Sequence, residues 1–275
     1  MLLGLNSDSL FHAIQKVRYA FGYTGAAPSF LVVGAQKCGT TSFFDYLARH
    51  PKVSRPLLKE IHYFEKEENY RRGYNWYLAH FPSRRKTGTN ITGEATPFMY
   101  HKLVPSRVSQ RLPEVKILMV IRDPVKRAFS HYLHNKGRGR ESLSFEDALV
   151  AETSRVSVSS IELLKGGKKA DEYRDYGYYE RGLYSDQYYM WRRYYSDSSI
   201  KIILFEDLVR APSVTMNEVC LFLGLEDHDF GELPHSNTKL ISEDISKETQ
   251  AALYKKYEKA DADLSVLLGR RLPWR

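Results

Sequence analysis

The stretch from Phe30 to Ser42, which reads Phe-Leu-Val-Val-Gly-Ala-Gln-Lys-Cys-Gly-Thr-Thr-Ser, constrains this chain more than any other feature. An apolar run is followed by a turn that contains Gly34 and Gly39, and then by three hydroxyl residues that open an amphipathic segment. This order predicts a buried strand, a glycine turn and a helix. Backbone N–H groups at a helix N-terminus point at an anion, and the helix dipole favours negative charge there. The stretch therefore predicts an α/β chain that holds a phosphate.

The position of the lysine argues against a phosphate loop of the ATPase kind. Gly34 and Gly39 have the spacing of the nucleotide-binding pattern GxxxxGK[ST], but Thr40 stands where that pattern places its lysine. Lys37 lies inside the loop instead. We expect the loop to hold its phosphate in a different manner from kinases and GTPases.

A second candidate anion site follows another apolar run. Lys116–Ile121 has the apolar character of a buried parallel strand, and Arg122 stands at its carboxyl end, where open α/β sheets bind ligands. Asp123 and Pro124 then begin a helix as its N-cap and first residue, and Ser130 lies two turns into that helix. A guanidinium fork and a hydroxyl donor can hold one phosphate from two sides. Two such sites on neighbouring strands predict a nucleotide with phosphates at both ends of its ribose.

The order of apolar runs and helical segments predicts the architecture. Three core strands are expected, at Phe30–Gly34, Lys116–Ile121 and Ile200–Phe205. Helical segments between them predict a P-loop-type central parallel β-sheet flanked by helices on both faces. Residues 1–28 are predicted to be an N-terminal arm, and residues 29–275 a single domain. Residues 155–180 lack a clear period and are predicted to be a mobile surface excursion.

Composition narrows the class of ligand and partner. The chain has 41 Lys and Arg against 33 Asp and Glu, and its formal net charge of +8 favours an anionic ligand. No long basic stripe or known module predicts nucleic-acid binding. No run approaches the ~18 apolar residues of a membrane span, and no signal peptide is predicted.

The two cysteines, Cys38 and Cys220, lack zinc-ligand spacing, and no disulfide is expected because Cys38 lies in the phosphate loop. These features predict a cytoplasmic protein, or a protein of the Golgi lumen if the chain is a trimmed fragment. Oligomeric state cannot be predicted from this sequence.

The loop and the second anion site together resemble the sulfotransferases. Residues 36–42 look like their 5′-phosphosulfate loop, and Arg122 with Ser130 looks like their 3′-phosphate site. The donor that this implies is 3′-phosphoadenosine 5′-phosphosulfate (PAPS), with 3′-phosphoadenosine 5′-phosphate (PAP) as its product. The donor-binding residues implied are Gln36, Lys37, Cys38, Gly39, Thr40, Thr41, Ser42, Arg122, Ser130 and Tyr184.

Further segments are similar to one branch of that family, the heparan-sulfate-type and bacterial carbohydrate sulfotransferases. These segments are Lys59–Phe64, Tyr70–Tyr77, Phe81-Pro82, Arg181–Tyr184 and Leu268–Arg270. The branch includes N-sulfotransferase and 3-O-sulfotransferase domains. The resemblance runs from about Phe30 to Trp274, so it covers most of the chain.

The resemblance implies a mechanism of in-line sulfuryl transfer, in which the protein mainly positions groups and neutralises charge. Lys37 would stabilise charge on the leaving phosphate. Glu60 is the predicted general base, and His62 is the competing base because a neutral imidazole suits pH 7. The i, i+2 spacing would put both on one side of an extended segment. No metal is predicted, since cationic side chains and amides can supply the charge.

Two departures from the branch bear on the acceptor. Ala95 stands where heparan-type enzymes often carry a lysine after the glutamate, and the branch's late disulfide loop and its Lys-Gly-Arg segment have no clear counterpart. Residues 235–239 are a candidate replacement for that loop. We therefore expect a hydroxyl or amine acceptor on a carbohydrate or a small polar metabolite, rather than heparan itself. The alternatives are a P-loop kinase or NTPase, and a non-catalytic binder of anionic glycans.

Overall fold

The computed structural model describes residues 7–83, 90–231 and 244–275, so the candidate segment 235–239 lies outside the described residues. The strands are β1 (Phe30–Gly34), β2 (Val53–Ser54), β3 (Ile91–Ala95), β4 (Lys116–Ile121) and β5 (Ile200–Leu204). They form one five-stranded sheet in the order β2-β3-β1-β4-β5, with every neighbouring pair parallel. The predicted central parallel sheet is confirmed.

The centre of the sheet is where the apolar runs are longest. All five residues of β1 are buried, and so are the last five residues of β4. Phe30 pairs with Gly93 on one side of β1 and with Lys116 on the other. A Cβ at Gly93 would lie 2.5 Å from the Phe30 carbonyl oxygen, so only glycine allows β3 this close approach.

Helices flank the sheet and complete the α/β architecture. Their bounds are α1 (Ser7–Ala20), α2 (Thr40–Leu47), α3 (Glu67–Tyr70), α4 (Tyr74–Leu78), α5 (Val104–Arg111), α6 (Pro124–Lys136), α7 (Phe145–Val156), α8 (Ser160–Lys165), α9 (Lys168–Asp175), α10 (Tyr184–Arg192), α11 (Phe205–Arg210), α12 (Pro212–Phe222) and α13 (Lys247–Leu268). Short 3₁₀ turns lie at Glu180–Gly182 and Asp197–Ser199. Within the described ranges, no helix is both long and apolar enough to cross a bilayer.

The structure differs from expectation in two places. Strands β2 and β3 escaped prediction because β2 has two residues and β3 reads Ile-Thr-Gly-Glu-Ala, which is not an apolar run. Residues 155–180, expected as an irregular excursion, instead contain α8 and α9. A reciprocal capping box begins α8: the Ser159 hydroxyl accepts from the Glu162 N–H, and the Glu162 carboxylate accepts from the Ser159 N–H.

The N-terminal helix packs against the body through polar contacts. Gln15 Nε2 donates to the Trp76 carbonyl oxygen at 3.3 Å, and Arg18 Nη1 donates to that of Phe81 at 3.4 Å. The division into an arm and a single domain stays a prediction.

Candidate active site

The loop between β1 and α2 has the geometry of an anion cradle. Gly39 caps α2 in a left-handed conformation, with φ 76° and ψ 20°, and no side chain caps this helix. A Cβ at Gly39 would also lie 2.7 Å from the ring of Phe205. The position therefore requires glycine for two reasons, its left-handed backbone and the lack of room for a side chain. The first turn of α2 also carries no acidic residue. Its first N–H groups, which have no intrahelical acceptor, are therefore available to an anion.

The side chains of the loop divide between an open side and a buried side. Thr41 is exposed and Ser42 half-buried, whereas Thr40 is buried. The amide oxygen of Gln36 is buried and, among the described residues, has no hydrogen-bond partner. Thr41 and Ser42 are thus the loop hydroxyls that a ligand can reach.

Two predicted donor residues lie behind the loop instead of facing the cleft. Cys38 is fully buried; its N–H donates to the Ala35 carbonyl oxygen at 3.2 Å, and its Sγ lies 3.9 Å from the Tyr184 hydroxyl. Tyr184 is 1% exposed. Burial raises the pKa of the Cys38 thiol to about 11. The geometry gives these side chains a supporting role, and offers no support for direct contact with a nucleotide.

A cluster of positive charge surrounds the loop. Burial lowers the pKa of Lys37, and the nearby guanidinium groups of Arg138 and Arg122 lower it further. Within the part of the chain that the structure describes, neither Lys37 nor Arg122 forms an ion pair with a carboxylate. A bound anion would reduce the repulsion among these positive charges, because an opposite charge nearby favours the charged form of each side chain.

Arg122 lies at the end of β4, as expected, and its side chain also contacts the loop, which was not expected. Its Nη1 donates to the Lys37 carbonyl oxygen at 3.1 Å, and its guanidinium carbon lies 5.5 Å from the centre of the Phe205 ring. Its Nε is buried without a partner among the described residues. Asp123 caps α6 by accepting from the backbone N–H groups of Val125 at 2.9 Å and Lys126 at 3.2 Å.

Helix α6 also brings a histidine that the sequence interpretation missed. Lys37 Nζ lies 3.5 Å from Nδ1 of His134. Ser130, half-buried, precedes His134 by four residues and therefore shares its helix face. Burial lowers the pKa of His134 to about 4, with Lys37 and Arg138 adding to the effect and Glu60 opposing it. The signal that could have revealed His134 is this spacing from Ser130.

The predicted base belongs to a chain of charged groups. Lys59 Nζ lies 2.7 Å from Glu60 Oε1, and Glu60 Oε2 lies 3.6 Å from His62 Nε2. The other ring nitrogen of His62 contacts the Glu65 carboxylate. Glu60 and His62 both have left-handed backbones, with φ 63° and 57°. The expectation of an extended segment is thus wrong, and the two side chains meet because the backbone turns at both residues.

The protonation of this cluster separates the two candidate bases. The nearby His62 ring lowers the pKa of Glu60 to about 2; burial opposes this shift and Lys59 assists it. Burial acts to lower the pKa of His62, but the neighbouring carboxylates of Glu60 and Glu65 outweigh it and raise the value to about 9. His62 is therefore an imidazolium at neutral pH, which conflicts with the neutral imidazole expected of a competing base.

A second carboxyl group lies deeper in the protein. Glu94, at the end of β3, is fully buried and accepts from the Tyr77 hydroxyl at 2.8 Å and the Thr96 hydroxyl at 3.1 Å. Burial raises its pKa to about 7. Ala95 follows it, so the helper lysine of the heparan-type branch is replaced here by a small buried side chain.

Comparison with known proteins identifies the family. Residues 27–267 match the sulfotransferase domain family, and the chain belongs to that family. It is 30% identical over 221 residues to human bifunctional heparan sulfate N-deacetylase/N-sulfotransferase 3, an alignment that covers 76% of this chain and 23% of that protein. It is 25% identical over 315 residues to membrane-associated sulfotransferase kil1 of Dictyostelium discoideum, which covers 90% of this chain and 66% of that protein.

A solved structure agrees with these relatives. The sulfotransferase from Alicyclobacillus acidocaldarius superposes with a TM-score of 0.72 and 29% identity, covering 90% of this chain and 98% of that one. The predicted fold, the membership of the sulfotransferase family and the similarity to its heparan-sulfate-type branch are confirmed. The chain spans less than a quarter of the length of the human relative. Compartment and the absence of a metal stay predictions.

Proposed function

We propose that this chain transfers a sulfuryl group from PAPS to a hydroxyl or amine of a carbohydrate acceptor. One observation carries the proposal: cationic side chains without carboxylate partners surround an uncapped helix N-terminus, and a carboxylate lies nearby. His134 links the two, because it contacts Lys37 and is within the electrostatic reach of Glu60. The proposed donor site at Lys37 and the proposed proton acceptor, Glu60, are thus both near His134.

The residues present fit a doubly phosphorylated donor. The N–H groups that begin α2, with the hydroxyls of Thr41 and Ser42, suit the 5′-phosphate. Arg122 and Ser130 suit the 3′-phosphate. The Nε of Arg122 has no hydrogen-bond partner among the described residues, so it is an unsatisfied donor to which a phosphate oxygen could bind. PAPS, when bound, supplies the activated sulfuryl group. Lys37 would neutralise charge that develops on the leaving phosphate, and His134 holds that lysine in place.

Glu60 is the residue best suited to take the acceptor's proton. It is ionised throughout the physiological range, since its pKa is about 2, whereas His62 already holds a proton. A carboxylate this weakly basic accepts a proton only once bond formation has made the attacking group strongly acidic. Deprotonation therefore comes late along the reaction, and Lys59 and His62 orient the carboxylate until then.

The carbohydrate acceptor is proposed from the relatives. The human protein's name gives its substrate as heparan sulfate, and its N-sulfotransferase title describes transfer to nitrogen. Ala95 stands where the resemblance to the heparan-type branch would place a lysine, and this departure favours an acceptor other than heparan itself, so the acceptor proposed here is a less anionic carbohydrate. The kinase alternative is disfavoured because Thr40 replaces the lysine on which a kinase-type loop depends.

A thermal-shift comparison of PAP, ATP–Mg²⁺ and heparin tests the proposed donor. PAP should raise the melting temperature most, since a ligand at a hundred times its Kd adds about 2.7 kcal/mol. Arg122→Ala should lose most of the shift, and Arg193→Ala, a change of an exposed arginine outside the proposed donor site, should keep it. Stabilisation by ATP–Mg²⁺ without any effect of PAP would refute the proposal. A screen of acceptors with PAPS, read by mass spectrometry for one added sulfo group, then tests the transfer.

A further inference from the structure

A cavity of about 480 Å³ lies apart from the donor loop. It opens between the segment after β3, the end of α7, helix α9 and the start of α10, and neither Glu60 nor any predicted donor residue lines it. Its volume falls in the range of small-molecule sites. Tyr173 and Tyr100 give it aromatic surface, with ring centres 5.3 Å apart.

The rim of the cavity is acidic on a protein whose net charge is +8. Glu180 and Asp186 both line it and are exposed, and among the described residues neither forms an ion pair with a lysine or arginine. The Glu180 side chain is exposed overall, but partial desolvation of its carboxylate raises its pKa, and the negative charge of Asp186 raises it further. Two carboxylates that repel one another and lack cations are free to accept hydrogen bonds from a ligand.

Two buried polar groups in the lining also lack partners. Gln187 is 7% exposed and Tyr100 is 9% exposed; within the described part of the chain, the amide oxygen of the first and the hydroxyl of the second have no hydrogen bond. The Gln187 amide nitrogen is already engaged, because it donates to the Glu180 carbonyl oxygen at 3.3 Å. Buried polar groups are seldom left unsatisfied, so these atoms indicate a site that a ligand completes.

The cations in the lining are committed to the protein itself. Arg181 donates to the carbonyl oxygens of Arg174 at 2.7 Å and Pro97 at 3.0 Å, and its guanidinium stacks 3.8 Å from the centre of the Tyr100 ring. The Lys102 ammonium donates to the Val158 carbonyl oxygen. An anionic ligand would therefore meet two carboxylates and no unoccupied cation.

The geometry points to a subsite for a sugar unit that carries hydrogen-bond donors and no anionic group. Sugar hydroxyls or an amine would donate to Glu180, Asp186 and Gln187, while the ring packs on Tyr173 and on the apolar wall of Leu183 and Met190. One sugar unit would thus hydrogen-bond to the oxygen acceptors and cover the apolar wall of the cavity. The two rim carboxylates disfavour sulfated or carboxylated units, because like charges placed opposite one another repel.

The cavity lining is linked by packing to the segment that holds the proposed base. The ring centres of Phe64 and Phe98 lie 6.2 Å apart, and Phe98 precedes Tyr100 of the lining by two residues. This inference rests on the proposed function, because the sugar bound here would belong to the carbohydrate acceptor. It narrows that acceptor to one whose unit beside the reacting sugar is neutral or amine-bearing.

Titration calorimetry on the full chain, without nucleotide, tests the subsite with three probes: chitotriose, its N-acetylated form and a heparin-derived hexasaccharide. We expect the first two to bind and the third to bind more weakly. Glu180→Gln combined with Asp186→Asn should weaken chitotriose binding at least roughly tenfold, since hydrogen bonds to charged groups are the stronger ones. Glu114→Gln, at the opposite end of the strands, should bind as wild type. Ser157→Trp, which places a ring at the rim, should block both sugars.

The outcomes separate this inference from the proposed function. A PAP thermal shift in each variant reports whether the donor site is intact. If PAP binds normally but neither chitotriose nor its N-acetylated form binds, the subsite inference is overturned and the proposed donor is not. The same holds if the Glu180→Gln, Asp186→Asn double variant binds these sugars as tightly as the wild type. It also holds if the heparin fragment binds most tightly of the three probes. If the wild-type chain binds the sugars but shows no thermal shift with PAP, the proposed donor is overturned and the subsite inference is not.

Discussion

The protonation of His62 is open to direct measurement, and it decides which residue can act as base. The imidazole lies between the carboxylates of Glu60 and Glu65, with its side chain 28% exposed. Its pKa is raised from 6.5 to about 9 on folding. A group whose pKa is raised on folding stabilises the native state fully below its unfolded value, and that stabilisation is lost as the pH rises to the folded value. Stability should therefore fall between pH 6.5 and about 9.

The size of the effect follows from that interval. At about 1.36 kcal/mol per pH unit, the interval of about 2.5 units from 6.5 to about 9 corresponds to at most about 3.4 kcal/mol. Solvent lowers this ceiling, because Glu60 is 39% exposed and exposed ion pairs contribute little. We expect 1 to 2 kcal/mol as an order of magnitude, roughly the worth of one hydrogen bond to a charged group.

Urea unfolding at a series of pH values measures it, with His62→Gln as the comparison. Glutamine keeps one amide donor for a carboxylate but cannot titrate, so the wild type should lose stability relative to the variant as the pH rises from 6.5 to 9. An NMR titration of His62 gives the pKa independently. A parallel course of the two stability curves, with His62 titrating near 6.5, would refute the reasoning and restore His62 as the candidate base.

Three further predictions concern the loop and the base. Glu60→Gln should lower kcat by at least roughly tenfold, the low end for a lost general base, with PAP affinity unchanged; steady-state kinetics with near-normal turnover would remove Glu60 from that role. Lys37→Ala should reduce kcat by more than Glu60→Gln does, measured in the same assay, because it removes charge next to the leaving phosphate. Gly39→Ala should destabilise the fold by more than the ~1 kcal/mol expected of left-handed strain alone, and should abolish the PAP thermal shift, because its Cβ would meet Phe205 at 2.7 Å. Gly224→Ala is the matched control, since Gly224 is also left-handed but has open space around it.

Much of the fold could be predicted because the central strands are continuous apolar runs. β1 and β4 are buried on both faces, and such strands read as nearly continuous apolar runs rich in Val, Ile and Leu. β3 could not be found in this way, because its burial arises from neighbours: β1 covers Gly93, and Tyr77 and Thr96 satisfy the carboxyl of Glu94.

The candidate site shows the same division between local and long-range information. The positions of Lys37 and Arg122 followed from their places in a loop and at a strand end, which are local features. The contact of Lys37 with His134 spans 97 residues, so no local pattern predicts the contact itself. The four-residue spacing of His134 from Ser130 indicates only that these two side chains share a helix face. Likewise, Glu60 and His62 were placed together for the wrong reason, since two left-handed residues rather than strand alternation bring them into contact.

The depth of Cys38 provides a way to watch the loop move. Cys38 and Cys220 are both unpaired and both fully buried, so alkylating reagents cannot reach either thiol in the native molecule. Modification at position 38 ahead of position 220 would reveal an opening confined to the phosphate loop, whereas simultaneous modification would reveal unfolding of the whole chain. The ratio of the two modification rates, at Cys38 and at Cys220, therefore measures how far the phosphate loop opens independently of global unfolding.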